Sequence, residues 1–416
     1  MILILGLYLG VTNPLFCIIT IFAILLTTTK HTAGFFLLMY GGIIGGTIRS
    51  IYPVLPVYGL LLNLIGLYLM RDILKDLFTS SKRSLMYLFL VFSVFGFTYL
   101  YAQHTEYASD KMQLLVQNGL MSLCGYYLFD KSDKLKIKDI SILLMLTSVC
   151  LISYAIVYYN IHPSSIFDFN WFRQGLLYYH YISQTNILVD YQEVGMDSAY
   201  ALALILCTKT KSHNIYLYVG LAVFLTLVSG ARQSLLAVII VIALRYTFFN
   251  EVKSINKSLL LIISCFFLYG AYSMLQSSNI EAVANTLSNG DEERNLIWLN
   301  AIKIFMEHPI FGVGLGGFAS QTVIENTAWP HNFFLEVLCE CGLLGMISLT
   351  IIVILFMTRY KVNLKHCTKG GLYYFLPLIT LFIRLMVSAD FSQSIALFSA
   401  LFATYGINDL SKSRLR

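Results

Sequence analysis

Long uncharged apolar runs recur along this chain and constrain its fold more than any other feature. Residues 1–26 carry no charge, and comparable runs continue as far as residue 406. A transmembrane helix needs roughly 20 consecutive apolar residues, because lipid offers no hydrogen-bond partner to an exposed backbone. Hydrophobic residues make up 57% of the chain and charged residues 12%. These values exclude a disordered chain, a coiled coil, an outer-membrane barrel and a typical cytosolic enzyme.

The sequence therefore predicts an all-α integral membrane protein, a polytopic bundle of about 11–13 transmembrane helices with a long, partly helical outer loop. The candidate spans are 2–26, 33–48, 51–70, 85–101, 113–129, 140–159, 194–208, 215–229, 233–249, 258–275, 332–357, 371–387 and 390–406. The runs 33–48 and 51–70 are compatible with two spans or with one broken, re-entrant pair. Met1 to Leu26 lacks the basic segment of a cleaved signal peptide, so we expect a retained span.

The basic residues indicate how the spans are oriented. If the lysine-rich loop 130–139 is cytoplasmic, alternation of the spans puts three quarters of the Lys and Arg residues on that side, as the positive-inside rule requires. The net charge of +6 is then a topology signal and does not indicate nucleic acid. The remaining, outer residues are Arg49, Lys111, Arg173, Arg232, Arg294, Lys303 and Arg384. Anchoring at the membrane interface explains such a group, and so does an anionic ligand, which arginine binds with two hydrogen bonds.

Two long polar segments fall on the predicted outer side. The first, 160–193, is rich in aromatic residues, which populate membrane interfaces and also stack on sugars. The second, 276–330, contains a predicted amphipathic helix over 291–307, which we expect to lie on the outer membrane surface. Its apolar face comprises Trp298, Leu299, Ile302, Phe305 and Met306. The chain thus divides into N-terminal spans over 1–275, a large outer loop over 276–331, and C-terminal spans with a short tail over 332–416.

A glycine-rich turn follows the predicted surface helix. Gly312, Gly314 and Gly317 match the G-x-G-x-x-G pattern of dinucleotide sites. That pattern requires a preceding strand, and here a helix precedes it, so we exclude a dinucleotide site. A tight, close-packed turn and a backbone amide nest for a phosphate or sugar oxygen both remain compatible with the glycines.

Polar residues then gather where the next span begins. His331 follows a proline at the predicted outer mouth of that span, where a lone histidine is commonly a hydrogen-bonded interface residue. Glu336 and Glu340 share a helix face within the span, and acidic residues inside a membrane are candidate functional residues. Arg384 and Asp390 are a candidate ion pair at the next outer junction. The eight cysteines are scattered without a C-x-x-C motif, so we expect neither a disulfide framework nor a cysteine metal site.

In their order and spacing these residues resemble the O-antigen ligase and polymerase family of bacterial envelope proteins. The resemblance covers roughly residues 215–357, and residues 1–200 are similar only in hydropathy and span count. The matching elements are Ser229-Gly-Ala-Arg232-Gln, Arg294-x-x-x-Trp298, His308-Pro309-x-x-Gly312-Val-Gly314, and His331-Asn332 followed after nine residues by Gly342-x-x-Gly345. The chain departs from the family's Ser-Gly-Ser-Arg element at Ala231.

The resemblance implies a membrane-embedded glycosyltransferase, similar in fold to the class C enzymes, whose donor is a glycan on undecaprenyl diphosphate. It implies that Arg232 and Arg294 hold the diphosphate and that His331 acts on the acceptor hydroxyl. Neither a metal nor another cofactor is expected. The residues Asn332, Glu336, Gly312, Gly314, Arg384 and Arg173 are supporting candidates.

On this basis we expect a surface polysaccharide polymerase in the bacterial inner membrane, with its site facing the periplasm. It would transfer a growing glycan to the non-reducing end of another lipid-linked repeat unit. Within the family, the alternative is a ligase that transfers the glycan to lipid A core. A flippase for the same lipids is an alternative of another class, which predicts inverted repeats and mid-membrane charges. The expected partners are lipid-linked glycans, the membrane and a chain-length regulator protein, without nucleic acid.

Overall fold

A computed structural model describes residues 13–54, 57–80, 95–103, 105–122, 135–163, 170–183, 189–207, 214–248, 280–324, 327–366 and 375–387. The regular elements in these ranges are helices, and no strand occurs among them. In chain order the helices are α1 (Pro14–Thr27), α2 (Lys30–Ile51), α3 (Tyr58–Ser80), α4 (Glu106–Ser122), α5 (Ile137–Tyr158), α6 (Trp171–Ser183), α7 (Tyr191–Cys207), α8 (Asn214–Ser229), α9 (Arg232–Phe248), α10 (Ile280–Glu307), α11 (Gly317–Gln321), α12 (Phe333–His366) and α13 (Phe375–Val387).

The helices of the described ranges confirm the prediction of an all-helical membrane protein. Within the described ranges, three helical segments are long and apolar enough to cross a membrane: Lys30–Ile51, Ile137–Tyr158 and Phe333–Ile351. Shorter apolar helices cover Pro14–Thr27, Leu217–Ser229 and Leu376–Met386. The predicted spans 258–275 and 390–406 lie outside the described residues, so the number of spans stays a prediction.

The chain forms two compact units. The first comprises residues 1–71, 131–280 and 372–381, and α7 lies in its interior, in contact with α5, α8 and α9. Helices α1 and α2 pack on α5. Helix α2 also lies against α3, with Gly45 so close to Gly59 that a Cβ atom on Gly45 would overlap the Gly59 backbone. Small residues allow such close helix contacts in membranes. The runs 33–48 and 51–70 therefore correspond to two separate helices, of which α2 is long and apolar enough to cross a membrane.

The second unit comprises residues 72–130, 281–371 and 382–416. Its described hydrophobic cluster joins α10, α11 and α12, and we call it the α10–α12 cluster. Its buried members are Ile297, Ala301, Ile304, Phe318 and Cys339, with Trp298, Val313, Ile324 and Leu335 packed against them. Since burial of apolar side chains is the main stabilising contribution to a fold, this cluster sets how α10 lies on the first turns of α12.

Helix α12 is broken at Gly342, which has φ 64° and ψ −164°. This backbone conformation is essentially restricted to glycine. The break leaves the carbonyls of Cys339 and Glu340 without their usual helical donors, and the glycine-rich turn supplies new ones. Val313 N and Gly314 N donate to them at 2.9 Å each. We call residues 333–341, between the start of α12 and this break, the half-helix.

The pairing at the break is reciprocal. The amides of Leu343 and Leu344, which begin the second part of α12, donate to the carbonyls of Pro309 and Ile310 at 2.9 and 3.2 Å. The turn therefore satisfies backbone groups on both sides of the break, as buried backbone groups require. It joins the end of α10 to the middle of α12.

The surface helix predicted over 291–307 exists, but it is the end of the longer α10. Its predicted apolar face only partly matches the face that packs into the protein, with Trp298 as the shared residue. Ile297, Ala301 and Ile304 are buried, whereas Leu299 and Met306 are 61% and 69% exposed. Both stripes follow a helical period, so α10 has an apolar side toward the protein and another facing outward. The outward stripe is compatible with the predicted position at the membrane surface.

Candidate active site

His331 lies at the start of the half-helix, in the second unit. It has a positive φ of 54°, which is uncommon for a residue other than glycine and costs of the order of 1–3 kcal/mol. Such strain is concentrated at functional sites. The ring is half-buried and contacts the Trp329 indole edge to face, with the ring centroids 5.1 Å apart. The proline before it, Pro330, is buried. The local fold thus holds His331 in a defined and partly accessible position.

Asn332 is the N-cap of the half-helix. Its side-chain oxygen accepts hydrogen bonds from the amides of Phe334 and Leu335 at 3.1 and 3.2 Å. Asparagine is among the best N-cap residues because it satisfies amides that have no partner inside the helix. Asn332 therefore fixes where the half-helix begins and, with it, the position of its neighbour His331.

Glu336 and Glu340 lie on the buried side of the half-helix and share one partner. The Lys111 ammonium, on α4, lies 2.5 Å from Glu336 Oε1, and 2.9 and 2.8 Å from Glu340 Oε1 and Oε2. All three side chains are fully buried. We call these residues the buried ionic cluster. The two carboxylates are one helical turn apart, so a single ammonium from the neighbouring helix reaches both.

Sequence reasoning missed Lys111 and put it in an outer loop, because the predicted span began at residue 113. The structure begins α4 at Glu106 and buries Lys111 inside it. A signal was present, since two acidic residues inside a predicted span require a cationic partner. Lys111 was one of few basic residues available on the outer side.

The glycine-rich turn is a close-packed structural element. The amides of Gly312, Val313 and Gly314 all donate to backbone carbonyls. Because these donors are occupied, the geometry favours the tight-turn interpretation over an amide nest that binds an anion. A Cβ atom on Gly312 would overlap the Glu340 carbonyl, and φ is +70° there. The Tyr101 hydroxyl donates to the Phe311 carbonyl and holds the turn from the other side.

Arg294 lies on α10, exposed, one turn before Trp298. Trp298 packs against the α10–α12 cluster, to which the half-helix contributes Leu335 and Cys339. The helix that carries Arg294 and the helix that follows His331 are therefore held by the same cluster. The structure thus connects two of the three residues to which the resemblance gives a role in transfer.

Arg232 lies in the first unit, at the first position of α9, and is exposed. Ser229 ends α8, and its hydroxyl accepts a hydrogen bond from the Ala231 amide at 3.2 Å. Gly195 on α7 lies against this connection, since a Cβ atom there would come within 2.5 Å of the Ser229 hydroxyl oxygen. Arg232 is thus presented by a tight, buried connection between two apolar helices.

Arg173 lies in the first turn of α6, also in the first unit, and contacts the start of α7. Its guanidinium is 5.6 Å from the centre of the Tyr191 ring, at the first position of α7. The next residue, Gln192, accepts a hydrogen bond from Gln233 at 3.2 Å, and Gln233 adjoins Arg232. Both arginines therefore flank the N-terminus of α7. The side chain of Asp190 accepts a hydrogen bond from the Gln192 amide at 2.9 Å and Glu193 lies in the first turn, so acidic side chains already match the partial positive charge of this helix N-terminus.

The remaining candidates are less defined. Arg384 is half-buried on α13, two residues after Phe382, whose ring contacts Phe334 of the half-helix. Its proposed partner Asp390 lies outside the described residues. Arg49 is exposed in the last turn of α2. Among the residues that the structure describes, no group of three or more His, Cys, Asp or Glu side chains could hold a metal ion.

The fold and site define a helical membrane protein in which Arg232 and His331 lie at helix starts and Arg294 lies on a helix that packs against the half-helix. Comparison with known protein families agrees with this class. Residues 199–350 match the model of the family described as O-antigen ligase, and this match confirms the resemblance predicted from the motifs. The matched region contains Arg232, Arg294 and His331. It supports a glycosyltransferase-like function of the O-antigen ligase or polymerase type. No curated protein matches the chain.

Proposed function

We propose that this protein is a polysaccharide polymerase that acts on glycans carried by undecaprenyl diphosphate. The growing glycan would move from its lipid carrier to the non-reducing end of a second lipid-linked repeat unit. The reaction would take place at the periplasmic face of the bacterial inner membrane. A chain-length regulator is proposed as a protein partner.

One observation carries the proposal. Within the family-matched region, His331 is held in a strained conformation at the start of a half-helix, and the helix with Arg294 packs on that half-helix. This combination supplies a base and a cation on two elements that one hydrophobic cluster fixes together. A glycosyl transfer from a diphosphate needs both groups.

The chemistry follows from these residue types. The acceptor hydroxyl oxygen attacks the anomeric carbon, and the bond from that carbon to the diphosphate oxygen breaks. Its electron pair leaves with undecaprenyl diphosphate, where negative charge develops. The Arg294 guanidinium stabilises that charge, and a fixed cation at developing charge is often the largest single contribution to catalysis.

His331 has a separate part in the same step. A sugar hydroxyl is a weak nucleophile, and a base that takes its proton during attack accelerates such reactions by about 10²–10⁴-fold. Histidine suits this task near neutral pH. Direct attack from the side opposite the diphosphate inverts the anomeric centre. The role of Arg232 in holding the diphosphate is proposed on the resemblance, together with its exposed position at the start of α9.

A genetic experiment tests the proposal. The variants His331→Ala and Arg294→Ala are expressed in a strain that lacks the native gene, and surface polysaccharide is separated on a gel. We expect each variant to lose the long-chain ladder while the protein remains in the membrane at wild-type level. Lys303→Ala is a matched control, because Lys303 is an exposed cation on the same helix. Normal ladders from both test variants would refute the proposal.

The deletion strain separates a polymerase from a ligase. Loss of a polymerase leaves lipid A core capped by a single repeat unit. Loss of a ligase leaves bare core, with long polymer still attached to its lipid carrier. We expect the first pattern, and the second would assign the protein to the ligases.

A further inference from the structure

The buried ionic cluster lies directly behind the half-helix, and the proposed mechanism does not use it. Lys111 reaches Glu336 in the first turn of α12 and Glu340 one turn later. A cation and two carboxylates, all fully buried, are costly to remove from water. Three apolar residues of similar volume would commonly give the same or greater stability. The cluster therefore calls for an explanation other than stability.

We propose that Lys111 is a positioning residue for the catalytic histidine, acting through Glu336 and Glu340. The proposal rests on the function proposed above. The ammonium bonds to two carboxylates that are one helical turn apart. These two contacts fix both the axial position and the rotation of the half-helix relative to α4. Fixing the half-helix in this way places His331, which precedes its first turn.

The break at Gly342 explains why a separate anchor is needed. In an unbroken helix the second part of α12 would set the direction of the first part through continuous backbone hydrogen bonds. At Gly342 those bonds pass instead to the glycine-rich turn. The direction of the half-helix then depends on the bonds to this turn and on side-chain contacts, which include the ion pairs of Glu336 and Glu340 with Lys111.

The ionic contacts of Lys111 are well suited to positioning the half-helix. Ionic hydrogen bonds are directional and roughly twice as strong as neutral ones, so they define one orientation where apolar packing permits several. Asn332 and the buried ionic cluster both hold the half-helix, since the Asn332 carbonyl accepts a hydrogen bond from the Glu336 amide at 2.9 Å. The Asn332 cap, the buried ionic cluster and the break at Gly342 together define the position of His331.

A double-mutant cycle tests the proposal with the purified full-length protein, with transfer from a lipid-linked glycan as the readout. Lys111→Met keeps most of the length of the side chain and removes its charge. It is expected to lower kcat by about 10²-fold, the effect of a displacement of about 1 Å at a reacting group. KM for the donor is expected to stay within about threefold, because Arg294 is unchanged. Asp110→Ala is the matched control, since Asp110 is the exposed neighbour of Lys111 on the same helix.

The decisive comparison is made in the His331→Ala background. If Lys111 acts through the histidine, Lys111→Met changes the residual rate there by less than about threefold. An equal fall in both backgrounds would overturn the proposal, because it would indicate an independent effect on folding. A normal rate for His331→Ala alone would refute the proposed function itself, so the two failures are distinguishable.

A charge exchange covers the case in which Lys111→Met does not fold. The double variant Lys111→Glu with Glu340→Lys keeps one cation and two acids in the same buried space. We expect it to be at least about tenfold more active than Lys111→Glu alone, because the cluster can form again. A double variant that reaches the membrane at wild-type level and is no more active than the single variant would overturn the proposal.

Discussion

Replacement of Gly342 by alanine tests the structural basis of the site most sharply. Gly342 has φ 64° and ψ −164°, and a Cβ atom there would overlap the carbonyl of Ile310. An alanine cannot adopt that backbone conformation without strain, and it cannot be accommodated without moving the turn. We expect the substitution to separate the glycine-rich turn from α12 and release the half-helix.

The size of the effect follows from the contacts. Backbone strain of this kind costs about 1–3 kcal/mol. Moving the turn also weakens the hydrogen bonds that Val313, Gly314, Leu343 and Leu344 donate across the break, each with a net contribution of about 1 kcal/mol. The strain and the loss of all four bonds together give a destabilisation of about 5–7 kcal/mol. A displaced His331 would lower the transfer rate by about 10²-fold or more.

The assay uses the protein's own tryptophans. The chain has three, and Trp298 and Trp329 lie beside the half-helix. Thermal unfolding in detergent, followed by tryptophan fluorescence, should show a clearly lower midpoint for Gly342→Ala. Gly220→Ala is the control, because a Cβ atom on Gly220 meets nothing within 4 Å. If the two variants unfold at the same temperature and transfer at the same rate, the argument from the broken helix is wrong.

Three further predictions concern single contacts. Asn332→Ala removes the N-cap and should cost about 1 kcal/mol and reduce kcat, whereas Asn332→Asp should retain most activity, which steady-state kinetics would check. Gly195→Ala places a methyl group against the Ser229 hydroxyl, so donor binding measured by equilibrium titration should weaken if Arg232 holds the diphosphate. Arg294→Lys keeps the charge but loses the planar fork, so its activity should lie between that of wild type and that of Arg294→Ala.

Much of the helical arrangement could be predicted because spans in lipid have a strong signal. Continuous apolar runs located α5, α8 and α9 within a few residues, since charged residues are costly in a membrane core and mark the ends of spans. The start of α4 was predicted too late. Its first turns contain Glu106, Asp110 and Lys111, and hydropathy assigns such residues to a loop.

The site was predicted as a set of residues but not as an arrangement. Local motifs located His331 and Arg294, while the partner of Glu336 and Glu340 is more than two hundred residues away along the chain. The pairing arises from tertiary packing, and motif spacing along the sequence cannot predict such a contact. The apolar face of α10 shows the same limit. Periodicity identified one apolar stripe, but α10 has two, and of the predicted stripe Trp298 packs against the cluster that contains Phe318 and Cys339.

The central claim is best tested by reconstitution of the purified protein with an undecaprenyl-diphosphate-linked glycan and no other acceptor. We predict that wild-type protein produces longer glycans on the lipid carrier, releases undecaprenyl diphosphate in equal amount, and does neither when His331 is replaced by alanine. Elongation that occurs only when lipid A core is supplied, or elongation that persists in His331→Ala, would contradict the account.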